Sequence, residues 1–340
     1  MLVNGNIAVQ YFFVLTGFLV GLSCFRSNHK GVAYVLTKAI NRYFRLFVIC
    51  AMATLLTAAT MVLGLQRHLE IVDIVADGAF LKGYCNFSPT LGNLLENIFI
   101  KPFVSGSDYV GPFWTIPFEL WGYIAVMIAA IWLKDSKWRR VAYVLIGLAM
   151  FLIVSGNYSV FFFGLFISDL VAQPEKETIL SKYYQPFLYK KGTIVVLSIV
   201  GLYCASCPLS FVGIHAPLNR VPLLSPTLVR AAGVSMLVFC VSQIKSVQRF
   251  FEKKPFMFLG DLSFPIYAFH WPLMLTVEAG FFKYFMELDI TYDVAAVSAF
   301  LLTLPVIILV SYIVYRITLH IKPDASACIN KMCAVIHLSV

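Results

Sequence analysis

Charge is scarce in this chain. Of its 340 residues only 13% are Asp, Glu, Lys or Arg, while 60% are hydrophobic. Soluble domains run near about 25% charged and about 45–50% apolar, so this composition indicates an integral membrane protein. Metal-ligand spacing is missing as well. The six histidines and eight cysteines form no pattern that holds an ion, so no metal is expected. Cys204-Ala-Ser-Cys207 has redox-motif spacing but no βαβ pattern around it, and reads as small residues of a membrane helix. No basic region precedes the first apolar run, so no cleavable signal peptide is expected. A soluble domain fits nowhere. The longest polar interval, 66–112, carries apolar patches of its own and is expected to pack at the membrane surface or over the bundle mouth.

Apolar runs are what the chain has in abundance. Nine can be marked, at 7–25, 46–65, 113–133, 141–155, 158–172, 192–207, 227–244, 256–282 and 294–319. Their lengths predict an all-α polytopic membrane bundle of about nine transmembrane helices. The fourth and fifth runs are short, and Ser155-Gly156-Asn157 between them predicts a tight helical hairpin. The net charge of +9 does not point to nucleic acid, because the basic residues lie in short clusters between the runs. With sides alternating, twenty of the 26 Lys and Arg fall on one side and six on the other. That asymmetry makes the first side cytoplasmic and places the C-terminus there. Nine crossings then put the N-terminus outside, an uncommon start, so a missing leading helix is expected. The expected layout is a membrane domain over 1–322 and a short cytoplasmic tail over 323–340, multi-pass in the plasma membrane.

Ionisable groups at membrane depth are costly and mark wet, protein-lined interiors. The run at 256–282 holds Asp261, His270 and Glu278 together with Pro265 and Pro272. His270 lies about 21 Å into that run from the inner side, past the midplane. Glu119, in Phe113-Trp-Thr-Ile-Pro-Phe-Glu119, lies about 9 Å below the outer start of its own run. The two reach similar depths, which allows a Glu–His pair if their helices adjoin. A lone histidine on an apolar helix is otherwise a structural hydrogen-bonder. On the inner side, Arg42 and Arg45 are three apart and share one helical face. They read either as topology anchors or as an anion clamp for a phosphate-bearing donor. Asp169 is expected to pair with a neighbouring base, and Asp261 to cap its helix or pair with an arginine.

Four stretches resemble the membrane acyltransferase 3 family, O-acetyl-type transferases of cell-envelope glycans. Val9-Gln-Tyr-Phe-Phe-Val-Leu-Thr-Gly-Phe-Leu19 resembles its "GV-x-x-FFVLSGFLI" helix, and Arg42-x-x-Arg45-Leu46 the paired arginines that follow. Phe113-Trp-Thr-Ile-Pro-Phe-Glu119 resembles "FWSLxxE". Leu259-Gly-Asp-Leu-Ser-Phe-Pro-Ile-Tyr-Ala-Phe-His-Trp-Pro-Leu273 resembles "LGxISYxIYLxHxPL". Each is weak alone; four in the family's order over most of the chain are specific. The family has ten helices, and its proposed catalytic histidine and a companion arginine belong to a first helix that this chain does not match.

The resemblance implies transfer of an acyl group, most simply acetyl, from cytoplasmic acetyl-CoA or another acyl-CoA to a hydroxyl of a glycan or lipid-linked saccharide outside. Arg42 and Arg45 inherit the expected acyl-CoA contact. A general base must take the hydroxyl proton during attack, and imidazole is the usual choice. Within this chain the expectation falls on His270 as base with Glu119 orienting it. The alternative is a non-catalytic or transport protein that carries acyl groups or a lipid-linked glycan, or a remnant of such an enzyme. The lipid bilayer is a partner on any reading, and nucleic acid is not.

Overall fold

The structure, a computed structural model, describes residues 5–26, 31–75, 78–172, 178, 181–221 and 224–320. The expected tail at 323–340 lies outside them, as do His29 and His337. Among the described residues all regular structure is helical. In chain order the helices are α1 (Gly5–Arg26), α2 (Val32–Val62), α3 (Gly78–Lys82), α4 (Leu91–Phe99), α5 (Lys101–Val104), α6 (Ile116–Leu133), α7 (Arg139–Ile153) and α8 (Gly156–Ala172). There follow α9 (Ser181–Leu188), α10 (Lys191–Ala205), α11 (Pro226–Gln243), α12 (Lys245–Phe251), α13 (Lys254–Leu273), α14 (Ala279–Glu287) and α15 (Tyr292–His320). Every one of the nine apolar runs falls on a helix. Among the described residues five stretches are long and apolar enough to cross a membrane: Ile7–Arg26, Val32–Val62, Gly111–Leu133, Pro226–Gln243 and Tyr292–Leu319. Gly156–Ala172 and Lys191–Ala205 are shorter apolar helices.

The described residues fall into two compact units, one of 5–39 and 118–252, the other of 40–117 and 253–320. In the first, α1 lies directly on α8. A Cβ on Gly17 would sit 2.0 Å from the Phe161 carbonyl oxygen, and one on Gly164 2.1 Å from that of Val14. With Gly21 four residues on, α1 presents the small-xxx-small face that lets membrane helices approach closely. Phe13 then stacks on Phe161 at 4.7 Å. The predicted hairpin is present: α7 and α8 pack together, turned by Ser155, whose Oγ accepts from the Asn157 N–H at 3.3 Å. α11 starts where the sequence says it should, with Ser225 accepting from the Leu228 N–H at 3.2 Å and Pro226 following.

Asp169 of α8 is fully buried and bonds Arg139 Nε at 2.7 Å and Arg140 Nε as well. Arg140 also reaches the Tyr184 hydroxyl. The expected partnership of Asp169 with a neighbouring base is therefore real, and double. Two arginines counted toward the basic side are thus buried, 0% and 4% exposed, neutralising a carboxylate.

In the second unit α13 packs on α15. The interval after α2 folds into short helices around one carboxylate: Asp108 accepts from Lys101 at 2.6 Å, from Asn97 at 3.0 Å and from Asn93 at 3.3 Å. Desolvation pushes the Asp108 carboxyl up, but these bonds outweigh it and hold the pKa below its usual value. Asp261 neither caps α13 nor meets an arginine among the described residues: it is seven residues past the first, and accepts from Tyr315 of α15 at 3.4 Å.

Candidate functional site

The histidine stretch is shaped by its prolines. Pro272 has no N–H to return to Ala268, and beyond Leu273 the helix widens into a π turn over Met274–Glu278. The Leu275 carbonyl in that turn accepts the Arg67 N–H at 3.0 Å, and Thr276 Oγ1 donates to the Pro272 carbonyl at 2.7 Å. A wide turn inside a membrane helix is thus held by groups from outside the helical ladder.

His270 is half-buried, with Nδ1 3.2 Å from the Ile266 carbonyl oxygen. A carbonyl only accepts, so Nδ1 carries the hydrogen. In the neutral ring Nε2 is then the acceptor. That is the tautomer a general base needs if Nε2 faces the proton.

Its neighbours anchor it. The Tyr267 hydroxyl donates to the Pro112 carbonyl, and Thr115 Oγ1 lies 2.5 Å from it. Trp271 packs edge-on to Tyr84 at 4.9 Å and to Phe80 at 5.9 Å. Gly111 makes that possible, since a Cβ there would lie 2.8 Å from the Trp271 ring. The residues flanking His270 are therefore clamped to the turn that leads into α6.

Glu119 belongs to the other unit, near the start of α6, and is fully buried. Thr16 Oγ1 donates to it, 3.2 Å from one carboxylate oxygen and 3.3 Å from the other. Thr16 precedes Gly17, so the glycine contact that seats α1 on α8 also sets where this hydroxyl points. The sequence reasoning missed both Thr16 and Thr115. The available signal was a hydroxyl residue inside each motif stretch: Thr16 in the first, Thr115 between Trp114 and Glu119.

Arg42 and Arg45 both lie on α2, three residues apart as expected, Arg42 half-buried and Arg45 exposed. Tyr43 between them packs on Phe103 at 4.7 Å and on Phe47 at 5.9 Å, which fixes that stretch of helix. The structure groups His270, Arg42 and Arg45 in one unit and puts Glu119 in the other.

A histidine that the sequence reasoning passed over is also in the second unit. His68 is 1% exposed and donates from Nε2 to the Tyr84 carbonyl at 3.2 Å. Burial holds its pKa below the ordinary histidine value, against the opposing effect of that hydrogen bond.

A family model described as an acyltransferase domain, of the acyltransferase 3 type, matches residues 1–316 of the chain. No curated protein and no solved structure matches it.

Proposed function

The chain belongs to the acyltransferase 3 family, and from that premise we propose that it moves an acyl group, most simply acetyl, from cytoplasmic acyl-CoA to a hydroxyl of a cell-envelope or extracellular glycan. The family match and the apolar helices together make it an integral membrane acyltransferase. Donor, acceptor, nine crossings with a cytoplasmic C-terminus, and the plasma membrane as location are our reading.

In this reading His270 is the general base. Its Nε2 takes the proton of the acceptor hydroxyl as that oxygen attacks the thioester carbonyl. The C–S bond then breaks, an ester forms, and the departing thiolate recovers the proton. The observation that carries the assignment is the bond from Nδ1 to the Ile266 carbonyl, which leaves Nε2 as the lone-pair nitrogen. Glu119 is the second catalytic group of the proposal, a carboxylate whose position Thr16 fixes. Arg42 and Arg45 hold the phosphates of the donor, for which two guanidiniums on one face are suited.

The test uses the full chain in lipid vesicles with radiolabelled acetyl-CoA and a hydroxylated glycan acceptor, scored as new ester. His270→Gln retains an amide but cannot take up a proton, and the expected loss is about 10²–10⁴-fold. Full activity in correctly inserted His270→Gln removes the base from this residue. If Glu119→Gln and His270→Gln combined cost no more than His270→Gln alone, the two act as one catalytic unit; additive losses separate them. No ester from the unaltered chain under any acyl donor overturns the enzymatic reading in favour of a carrier.

A further inference from the structure

The π turn of α13 does more than interrupt a helix. Beside it lies a cavity of about 210 Å³ within the second unit, lined by Met274, Leu275, Phe282 and Tyr292 among others. Its walls are hydrocarbon and aromatic, with His68, Glu278 and the phenol of Tyr292 as the polar groups among them.

His68 and Glu278 both carry a hydrogen-bond acceptor with no partner among the described residues. His68 spends its Nε2–H on the Tyr84 carbonyl, so Nδ1 carries the lone pair, and Nδ1 is buried with no partner among the described residues. Glu278 is half-buried and makes no hydrogen bond or ion pair among them. Two bases of this unit are already engaged with other acids. Lys283 bonds Glu70 at 2.5 Å and lies 3.7 Å from Glu287, while Arg67 bonds Glu70 at 2.8 Å. A carboxylate at the end of a membrane helix needs a counter-charge, and this one has none among the described residues. Phe282 and Tyr292, rings 5.4 Å apart and edge-on, add aromatic surface of the kind that attracts organic cations.

We propose that this cavity is a binding site for a primary alkylammonium group, with Glu278 as its counter-ion and His68 Nδ1 accepting one of its N–H bonds. The hydrocarbon next to the nitrogen occupies the apolar walls. A quaternary ammonium lacks the N–H that His68 requires, and an alcohol lacks the charge that Glu278 requires. The ammonium can come from a free amine or from an aminolipid headgroup, which share this chemistry.

The experiment is photolabelling of the full chain in nanodiscs of phosphatidylglycerol, with a diazirine-bearing hexylamine and peptide mapping by mass spectrometry. Expected is labelling between 274 and 296, displaced by hexylamine at concentrations at least tenfold below those needed for hexyltrimethylammonium or hexanol. Glu278→Gln is expected to cut that labelling at least tenfold. Ala296→Phe, which adds bulk at a wall position and leaves His68 and Glu278 unsubstituted, is expected to do the same. Equal displacement by hexanol, or unchanged labelling in both variants, overturns the proposal. Displacement on replacing part of the phosphatidylglycerol with phosphatidylethanolamine assigns the ammonium to a membrane lipid; the specific labelling persisting through that replacement assigns it to a free amine.

Discussion

The two compact units treat buried acid in opposite ways. In the first, Asp169 is held between Arg139 and Arg140, and Glu119 accepts a hydroxyl hydrogen from Thr16. Its helices approach through Gly17, Gly164 and Gly233, where even a methyl group would overlap a neighbouring backbone atom. In the second, α13 carries two prolines and a π turn, Glu278 faces a cavity, and His68 keeps an unused lone pair. The first unit has buried atoms without a partner among the described residues too, His215 Nδ1 and Gln10 Oε1 among them, but both acids named here are bonded. In the second unit an acid with no partner among the described residues faces a cavity, which is what a ligand can satisfy.

This contrast can be broken most directly at glycine. Gly164→Ala puts a methyl group into the Val14 carbonyl with backbone on both sides, and the expected result is loss of folded, monodisperse protein. Gly260→Ala on α13 meets nothing within 4 Å, and should be neutral or stabilising by about 0.5–1 kcal/mol. Size-exclusion profiles and thermal midpoints in detergent read both; equal tolerance would remove the packing difference between the units. Charge gives the next largest effect. Asp169→Asn strands two buried guanidiniums and is expected to cost about 3–5 kcal/mol. Glu278→Gln removes no partner and should cost no stability, so a comparable loss there would show that Glu278 is paired after all.

Thr16 probes the join between packing and chemistry. Thr16→Val keeps the shape but removes the donor to a buried carboxylate, at an expected cost of about 1–3 kcal/mol. Thr16→Ser should restore both stability and acyl transfer. If Thr16→Val lowers the midpoint but leaves the rate per folded molecule unchanged, Glu119 is a structural acid and not a catalytic one.

That pair also marks where the sequence stops being informative. Every apolar run became a helix because length and hydropathy are local properties that a membrane rewards directly. The Ser155-Gly156-Asn157 hairpin was legible for the same reason. The Thr16–Glu119 bond joins residues 103 positions apart, which no local pattern records. Arg139 and Arg140 looked like charges at a membrane surface, since a count of basic residues does not see Asp169 thirty positions on. Pro272 stood in the run at 256–282 with no break expected there, and the π turn that follows is joined by the Arg67 N–H from a loop distant in sequence. His68 stood in an interval expected to pack at the membrane surface or over the bundle mouth, but no local pattern records its burial against Tyr84.

His68 supplies the smallest effect, and it tests how firmly that loop is seated. Its folded pKa lies below the ordinary value of about 6.5 because burial penalises the imidazolium. Above that ordinary value the ring is neutral both seated and released, and the seating is at full strength. As pH falls toward the folded value, the released ring takes a proton first, so acid favours release. One site limits the slope to about 1.4 kcal/mol per pH unit. Glu70, whose pKa is lowered by its bonds to Lys283 and Arg67, weakens the same region only at lower pH, as it protonates. Hydrogen exchange of the peptide covering 66–84 should therefore accelerate between pH 7 and pH 5.5, after correction for intrinsic exchange. His68→Asn retains a donor for the Tyr84 carbonyl without a group that titrates there, and should abolish the step. A step that survives in His68→Asn would place the titrating group elsewhere.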